Sequence, residues 1–280
     1  MTNLRDKAEL FHSLHAREGR PLVLANAWDV ASALIVEEAG AEAVATTSAG
    51  VAWSLGAPDG DRLDRDRAVD LVARIAAAVR VPVTADIESG FGDTPEEVGE
   101  TVRRVIEAGA VGVNIEDTVR DGAASLRPVT EQAARLAAAR AAADAAGVPL
   151  YINARVDVYL RGAGDPEARL AATLERAAAY REAGASGIFV IGATDPDTIA
   201  ALAKGAGLPL NVFGGPGAPP VGELAALGAA RISVGSDLAA AAYALARRAA
   251  RELYGAGTYT ALADGIEFGE LNALLARGQG

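Results

Sequence analysis

The chain has 280 residues, a formal net charge of −11, a pI near 4.8 and 51% hydrophobic residues. The acidic balance argues against a nucleic-acid partner, and with no cysteine in the sequence there is no disulfide, thiolate ligand or thiol nucleophile. No apolar run reaches transmembrane length and no secretory segment opens the chain, so a cytoplasmic protein without a membrane partner is expected.

Eight short apolar runs read as strands, at 22–25, 43–47, 83–86, 112–116, 150–155, 187–191, 208–213 and 231–235. Helical periodicity lies between them, for example over 94–108 and 167–183. Such alternation builds βαβ units and a parallel sheet. The joints repeat as well. A Gly-Ala step leads into four strands, at Gly40, Gly109, Gly184 and Gly228, and a proline marks the start of the other four, at Pro21, Pro82, Pro149 and Pro209. The two kinds alternate along the chain. Glycine supplies a left-handed helix cap, and proline suits the first residue of a strand. Eight such α/β units predict one closed (β/α)8 TIM barrel spanning 1–280 rather than an open doubly wound sheet. No G-x-G-x-x-G follows the first strand, which fits that choice.

From about residue 237 the chain adds more than a barrel needs. Residues 237–254 read as one long apolar helix and 258–277 as a helical tail. An appended amphipathic helix packs on another subunit or caps the barrel. The irregular stretches 48–61, 118–130 and 214–220 all follow strands. They fall on the C-terminal face, where barrel active sites sit, and loops of this length often act as lids.

Scarce residues narrow the chemistry. The only histidines are His12 and His15, before the first strand, and the only lysines are Lys7 and Lys204. Neither a Schiff-base lysine nor a histidine-held zinc suits that distribution. Carboxylates, arginine, hydroxyls, amides and a hard cation remain. The third strand ends Asp86-Ile87-Glu88 before a glycine turn. Residues two apart on a strand share a face, so Asp86 and Glu88 are expected to aim together. The fourth strand ends Glu116-Asp117, and Asp59 lies in the loop after the second. Clustered acids repel, share a proton or hold a hard cation. The cation reading is preferred here, whereas Asp93 reads as a helix cap.

The fifth strand ends Asn153-Ala154-Arg155-Val156-Asp157. Arg155 offers a planar fork to a substrate carboxylate, and an internal ion pair with Asp157 or Glu116 is compatible with that role. The small residues from Thr46 to Gly50 let backbone amides approach an anion. Asn211, late in the seventh strand, is a further donor to the same ligand, and Ser233 and Ser236 give weaker signals.

Four motifs fall in order: Leu55-Gly56-x-x-Asp59, Asp86-x-Glu88-x-Gly90-x-Gly92, Gly112-Val113-Asn114-Ile115-Glu116-Asp117 and Asn153-Ala154-Arg155-x-Asp157. With them the chain resembles the isocitrate lyase/phosphoenolpyruvate mutase superfamily over roughly residues 20–240. The resemblance implies a barrel whose last helix, from Asp237, swaps between subunits of a homodimer or homotetramer. It implies Mg²⁺, with Mn²⁺ as the alternative ion, and a small carboxylate substrate. That substrate is a 2-oxo or 2-hydroxy acid whose C–C or C–P bond is made or broken through an enolate-type anion. Asp86 matches the principal metal ligand and, through the ion, a substrate contact. Asp59, Glu88 and Glu116 match acids that hold the ion directly or through water. Arg155 matches the arginine that grips substrate, and Thr47, Ser48 and Ala49 match the segment receiving the α-carboxylate. Asp59, Glu116 and Arg155 are thus the expected catalytic residues, with Asn211 as an added substrate contact.

Two departures stand out. Glu88 replaces the family's usual Asp. The lyase branch has a lid cysteine after the fourth strand that protonates the departing carbanion, where this chain reads Thr118-Val119-Arg120-Asp121-Gly122-Ala123-Ala124-Ser125. Proton delivery then falls to another group or to water. The expected activity is a Mg²⁺-dependent C–C lyase on a 2-methylisocitrate-like acid. The alternatives are a C–P mutase or hydrolase on phosphonopyruvate or phosphoenolpyruvate, oxaloacetate cleavage, and non-catalytic binding of a 2-oxo acid such as 2-oxoglutarate.

Overall fold

The computed structural model describes residues 3–119 and 125–277. Eight parallel strands form the predicted barrel: β1 (Leu22–Leu24), β2 (Val44–Ala45), β3 (Val83–Asp86), β4 (Gly112–Glu116), β5 (Tyr151–Val156), β6 (Gly187–Val190), β7 (Leu210–Phe213) and β8 (Ala229–Ser233). Their order is β1-β8-β7-β6-β5-β4-β3-β2. The seam between β1 and β2 has no ladder. It is crossed just beyond the strands by a parallel bridge between Ala27 and Thr46. Asn26 reinforces the seam, donating to the Thr46 carbonyl at 2.9 Å and accepting from the amides of Val234 at 3.1 Å and Gly235 at 3.0 Å. One side chain thereby ties both sides of the seam to the end of β8.

Eleven α-helices accompany the strands among the described residues: α1 (Leu4–His15), α2 (Val30–Glu38), α3 (Ser48–Ser54), α4 (Arg65–Ala78), α5 (Pro95–Glu107), α6 (Val129–Ala145), α7 (Arg169–Glu182), α8 (Pro196–Gly205), α9 (Val221–Ala226), α10 (Asp237–Gly255) and α11 (Phe268–Arg277). Local chemistry explains their limits. Thr94 and Glu97 form a reciprocal capping box at the start of α5, with Pro95 in the first turn. The buried face of α5, Val98, Val102, Val105 and Ile106, repeats at three- and four-residue steps. The repeated glycine after a helix does what its spacing predicts: Gly40, Gly109, Gly184 and Gly228 have φ of 99, 96, 95 and 94°, a turn that costs other residues strain.

The lower end of the barrel is closed by α1. Phe11 and His15 are buried there, and the His15 ring stacks on Tyr151 at 3.8 Å. Tyr151 fits because β6 passes it at Gly187, where a Cβ would collide with the phenol. Three details depart from the pattern read in the sequence. β2 is shorter than 43–47, because Thr47 already begins a helical turn and residues 48–54, expected as loop, are α3. The tail is a 3₁₀ turn (Thr260–Leu262) followed by α11, which packs on α2 and buries Leu274. Along α10 only Ala239 is buried, and Leu238, Tyr243, Leu245, Leu253 and Tyr254 are exposed. No helix among the described residues is long and apolar enough to cross a membrane.

Candidate active site

The C-terminal strand ends surround a cavity of about 200 Å³. Six of the expected metal, substrate and catalytic residues meet in its wall: Thr47, Ser48, Ala49, Asp59, Asp86 and Arg155. Asp86 is held firmly. Its Oδ2 accepts from the Ser48 amide at 3.0 Å and the Ser48 hydroxyl at 2.7 Å, and its own amide donates to Thr46 Oγ1 at 2.9 Å. The amide and hydroxyl expected to meet a substrate carboxylate here engage Asp86.

Glu88 does not share the face of Asp86. β3 ends at Asp86, and Glu88 turns through a left-handed φ of 51°. Its Oε2 accepts from the amide of Gly60 at 3.0 Å and from that of Asp61. It lies outside the cavity wall and anchors the loop that carries Asp59. Burial raises its pKa to about 7, against the Asp61 hydrogen bond, and the charges of Asp61, Asp59 and Asp86 add to the rise.

Glu116 also stands behind the wall and reaches it through Arg155. Arg155 Nη1 is 2.7 Å from Glu116, while Nε donates to Asp157 at 2.7 Å and Nη2 donates to Asp157 at 2.9 Å. Burial works against the guanidinium charge, and the two acids more than restore it, so its pKa lies above the ordinary value. Asp157 is fixed in turn by the Thr118 hydroxyl at 2.5 Å, and its amide donates to Asp117 at 2.9 Å. Asp117 points away from the cavity into the helix layer, where Arg176 and Tyr180 donate to it at 3.0 and 2.8 Å. The expected lid over 118–130 is pinched at its base by a bridge between Thr118 and Leu126; its residues 120–124 lie outside the described residues.

Asn211 is buried one layer below the wall, exchanging hydrogen bonds with Ser233 at 3.2 and 3.3 Å. Ser233 and Ser236 do line the cavity, as does Arg231, which the sequence reading passed over. Its signal was the alternation of β8, in which Arg231 shares a face with Ser233.

Two carboxylates and several hydroxyls line the cavity, and neither imidazole nor thiol does. That donor set suits a hard divalent cation. Among the described residues no three His, Cys, Asp or Glu side chains form a ready-made metal cluster. A cation that keeps several waters needs only one or two carboxylates, so the wall fits Mg²⁺ and does not fit a zinc cage.

Comparison with known proteins bears on this geometry. The family model described as phosphoenolpyruvate phosphomutase matches residues 11–254. An uncharacterized protein of Mycobacterium tuberculosis is 40% identical over 243 residues, covering 86% of this chain and 87% of its own. The 2-methylisocitrate lyase of Escherichia coli K12 is 32% identical over 206 residues, 72% of this chain and 65% of the lyase. The crystal structure of phosphonopyruvate hydrolase in complex with oxalate and Mg²⁺ has a TM-score of 0.84 at 25% identity, covering 98% of this chain and 96% of that one. By these matches the chain belongs to the phosphoenolpyruvate phosphomutase family, enzymes of the isocitrate lyase/phosphoenolpyruvate mutase superfamily of lyases and mutases.

Proposed function

We propose that this chain is a Mg²⁺-dependent carbon–carbon lyase acting on a small 2-oxo or 2-hydroxy di- or tricarboxylate, with 2-methylisocitrate as the model substrate. The observation that carries the reading is the meeting of Asp59, Asp86 and Arg155 in one small cavity at the strand ends. Asp86 holds the ion, with Asp59 on the same wall. When bound, the ion supplies positive charge for the enolate-type anion that develops as the bond breaks.

The chain's own residues do the rest. Ser48 fixes the Asp86 carboxylate, and Thr47 and Ala49 shape the place of the substrate's α-carboxylate. Arg155 grips a second oxygen, its charge and plane set by Glu116 and Asp157. Glu88 acts by anchoring the Asp59 loop. With no thiol in the chain, water in the cavity delivers the proton to the departing carbanion. The exposed apolar residues of α10 support a homodimer or homotetramer built through that helix, working in the cytoplasm.

Proton NMR of the protein with methylisocitrate and Mg²⁺, against a chelated control, tests the reading. Metal-dependent appearance of pyruvate and succinate is expected, and unchanged substrate rejects that substrate. A C–P hydrolase or mutase is the second reading, favoured by the likeness to phosphonopyruvate hydrolase across nearly the whole chain. Phosphorus NMR with phosphonopyruvate separates the two.

A further inference from the structure

Two guanidinium groups line the cavity, and they differ in charge balance. Arg155 lies 2.7 Å from both Glu116 and Asp157, so two buried carboxylates already answer its charge. Arg231 on β8 is 3% exposed, and no carboxylate among the described residues stands within 4 Å of it. Its Nε donates to Ser233 Oγ at 3.0 Å, and its Nη1 is buried with no hydrogen-bond partner.

The one carboxylate charge that acts on it comes from Asp86, across the cavity and out of ion-pair contact, where Ser48 already holds it. His15, on the floor below, is neutral, with burial holding its pKa down to about 3. Tyr151, stacked on His15, has its phenol pushed up by burial. Burial lowers the Arg231 pKa to about 10, which still leaves it charged at neutral pH. A buried charge without a partner is costly, and an anionic ligand arriving through the cavity would supply one.

We propose that Arg231, with Ser233 beside it, is a second anion subsite that takes the second carboxylate of the substrate and selects a dicarboxylate over a monocarboxylic acid. Asn211 is a positioning residue for it, acting through Ser233. At about 200 Å³ the cavity is smaller than the sites that hold drug-sized ligands, so the fit is to a dianion of about four or five carbons. The inference rests on reading the cavity as a 2-oxo or 2-hydroxy acid site.

Calorimetric titration of the full chain in Mg²⁺ tests it, with L-malate and L-2-hydroxybutyrate as probes. The two differ only in a carboxylate against a methyl. The wild type is expected to prefer malate by about tenfold or more, the range of one charge-assisted contact. Arg231→Gln removes the preference by weakening malate alone, with 2-hydroxybutyrate held within about twofold. Arg231→Lys, which keeps the charge without the fork, retains part of the preference; it decides the question if the Gln variant does not fold. A preference that is absent from the wild type, or undiminished in a folded variant, overturns the proposal. Oxalate titrated beside them keeps the two readings apart. Mg²⁺-dependent oxalate binding by the wild type upholds the proposed site whatever malate does, and its absence counts against that site itself.

Discussion

Arg155 Nη1 stands 2.7 Å from Glu116 Oε2 inside the barrel, and the acid is 1% exposed. With Asp157 on its other edge the guanidinium serves fold and site together. Arg155→Ala takes away the guanidinium that the two buried carboxylates share, a loss of about 3–5 kcal/mol. Urea denaturation reads that loss, and turnover disappears with it. Asp157→Asn, which leaves Glu116 in place, costs clearly less by the same measurement.

Ser48 holds Asp86 with two donors, one of them its hydroxyl at 2.7 Å. Ser48→Ala removes that donor and leaves the amide. A hydrogen bond to a charged group contributes about 1.5–3 kcal/mol. Mg²⁺-titrated activity of this variant is expected to require about tenfold more Mg²⁺ or above, and its melting temperature to fall by several degrees.

Glu88 holds the loop of Gly60 and Asp61 by accepting from both amides. Glu88→Ala leaves those amides without their acceptor, and outer-shell changes of this kind cost about 10–100-fold in metal affinity. Glu88→Gln keeps an acceptor oxygen and recovers part of the loss. Limited proteolysis of the loop at 57–64 should accelerate in the Ala variant and much less in the Gln variant. Equal metal affinity in wild type and Glu88→Ala would deny the residue this role.

His15 gives the fold a pH dependence. Its folded pKa of about 3 lies below the ordinary value of 6.5. Between those values the unfolded chain binds more protons than the folded one. The contribution to stability is therefore fully present above about pH 6.5 and is lost as pH falls toward 3. From pH 7 to pH 5 the wild type loses about 2 kcal/mol more than His15→Gln, by that linkage. Urea midpoints of both proteins at the two pH values check it.

Leu245 and Leu253 are exposed on α10. If that helix joins subunits, Leu245→Glu with Leu253→Glu places charge in the contact. Sedimentation equilibrium should then show the double variant as a smaller species than the wild type at the same concentration.

The ring of strands was legible because its punctuation is chemical: glycine where a helix must turn left-handed, proline where a strand begins. Asp86 and Arg155 were legible because an acid or an arginine closing an apolar strand on that face has little else to do. Glu88 misled. Period-two alternation needs extended backbone, and although the Ile87 amide and the Glu88 carbonyl still bond to Asn114 and Glu116, Glu88 itself takes a left-handed φ, before the glycine that marked the break. α3 escaped notice because it is seven residues long and Thr47 makes no side-chain cap. Arg231 escaped because nothing local distinguishes an arginine with a partner from one without. Only the placement of the carboxylates around the barrel shows that, among the described residues, Arg155 has two in ion-pair contact and Arg231 none.

By sealing the lower end, α1 turns the barrel into a cup. Traffic has one doorway. If the proposed lyase makes two fragments there, they have no opposite exits, and the one nearer the floor would wait behind the one nearer the rim. Steady-state kinetics would then carry the mark of a queue: the last fragment out would compete directly with incoming substrate, and the first would not.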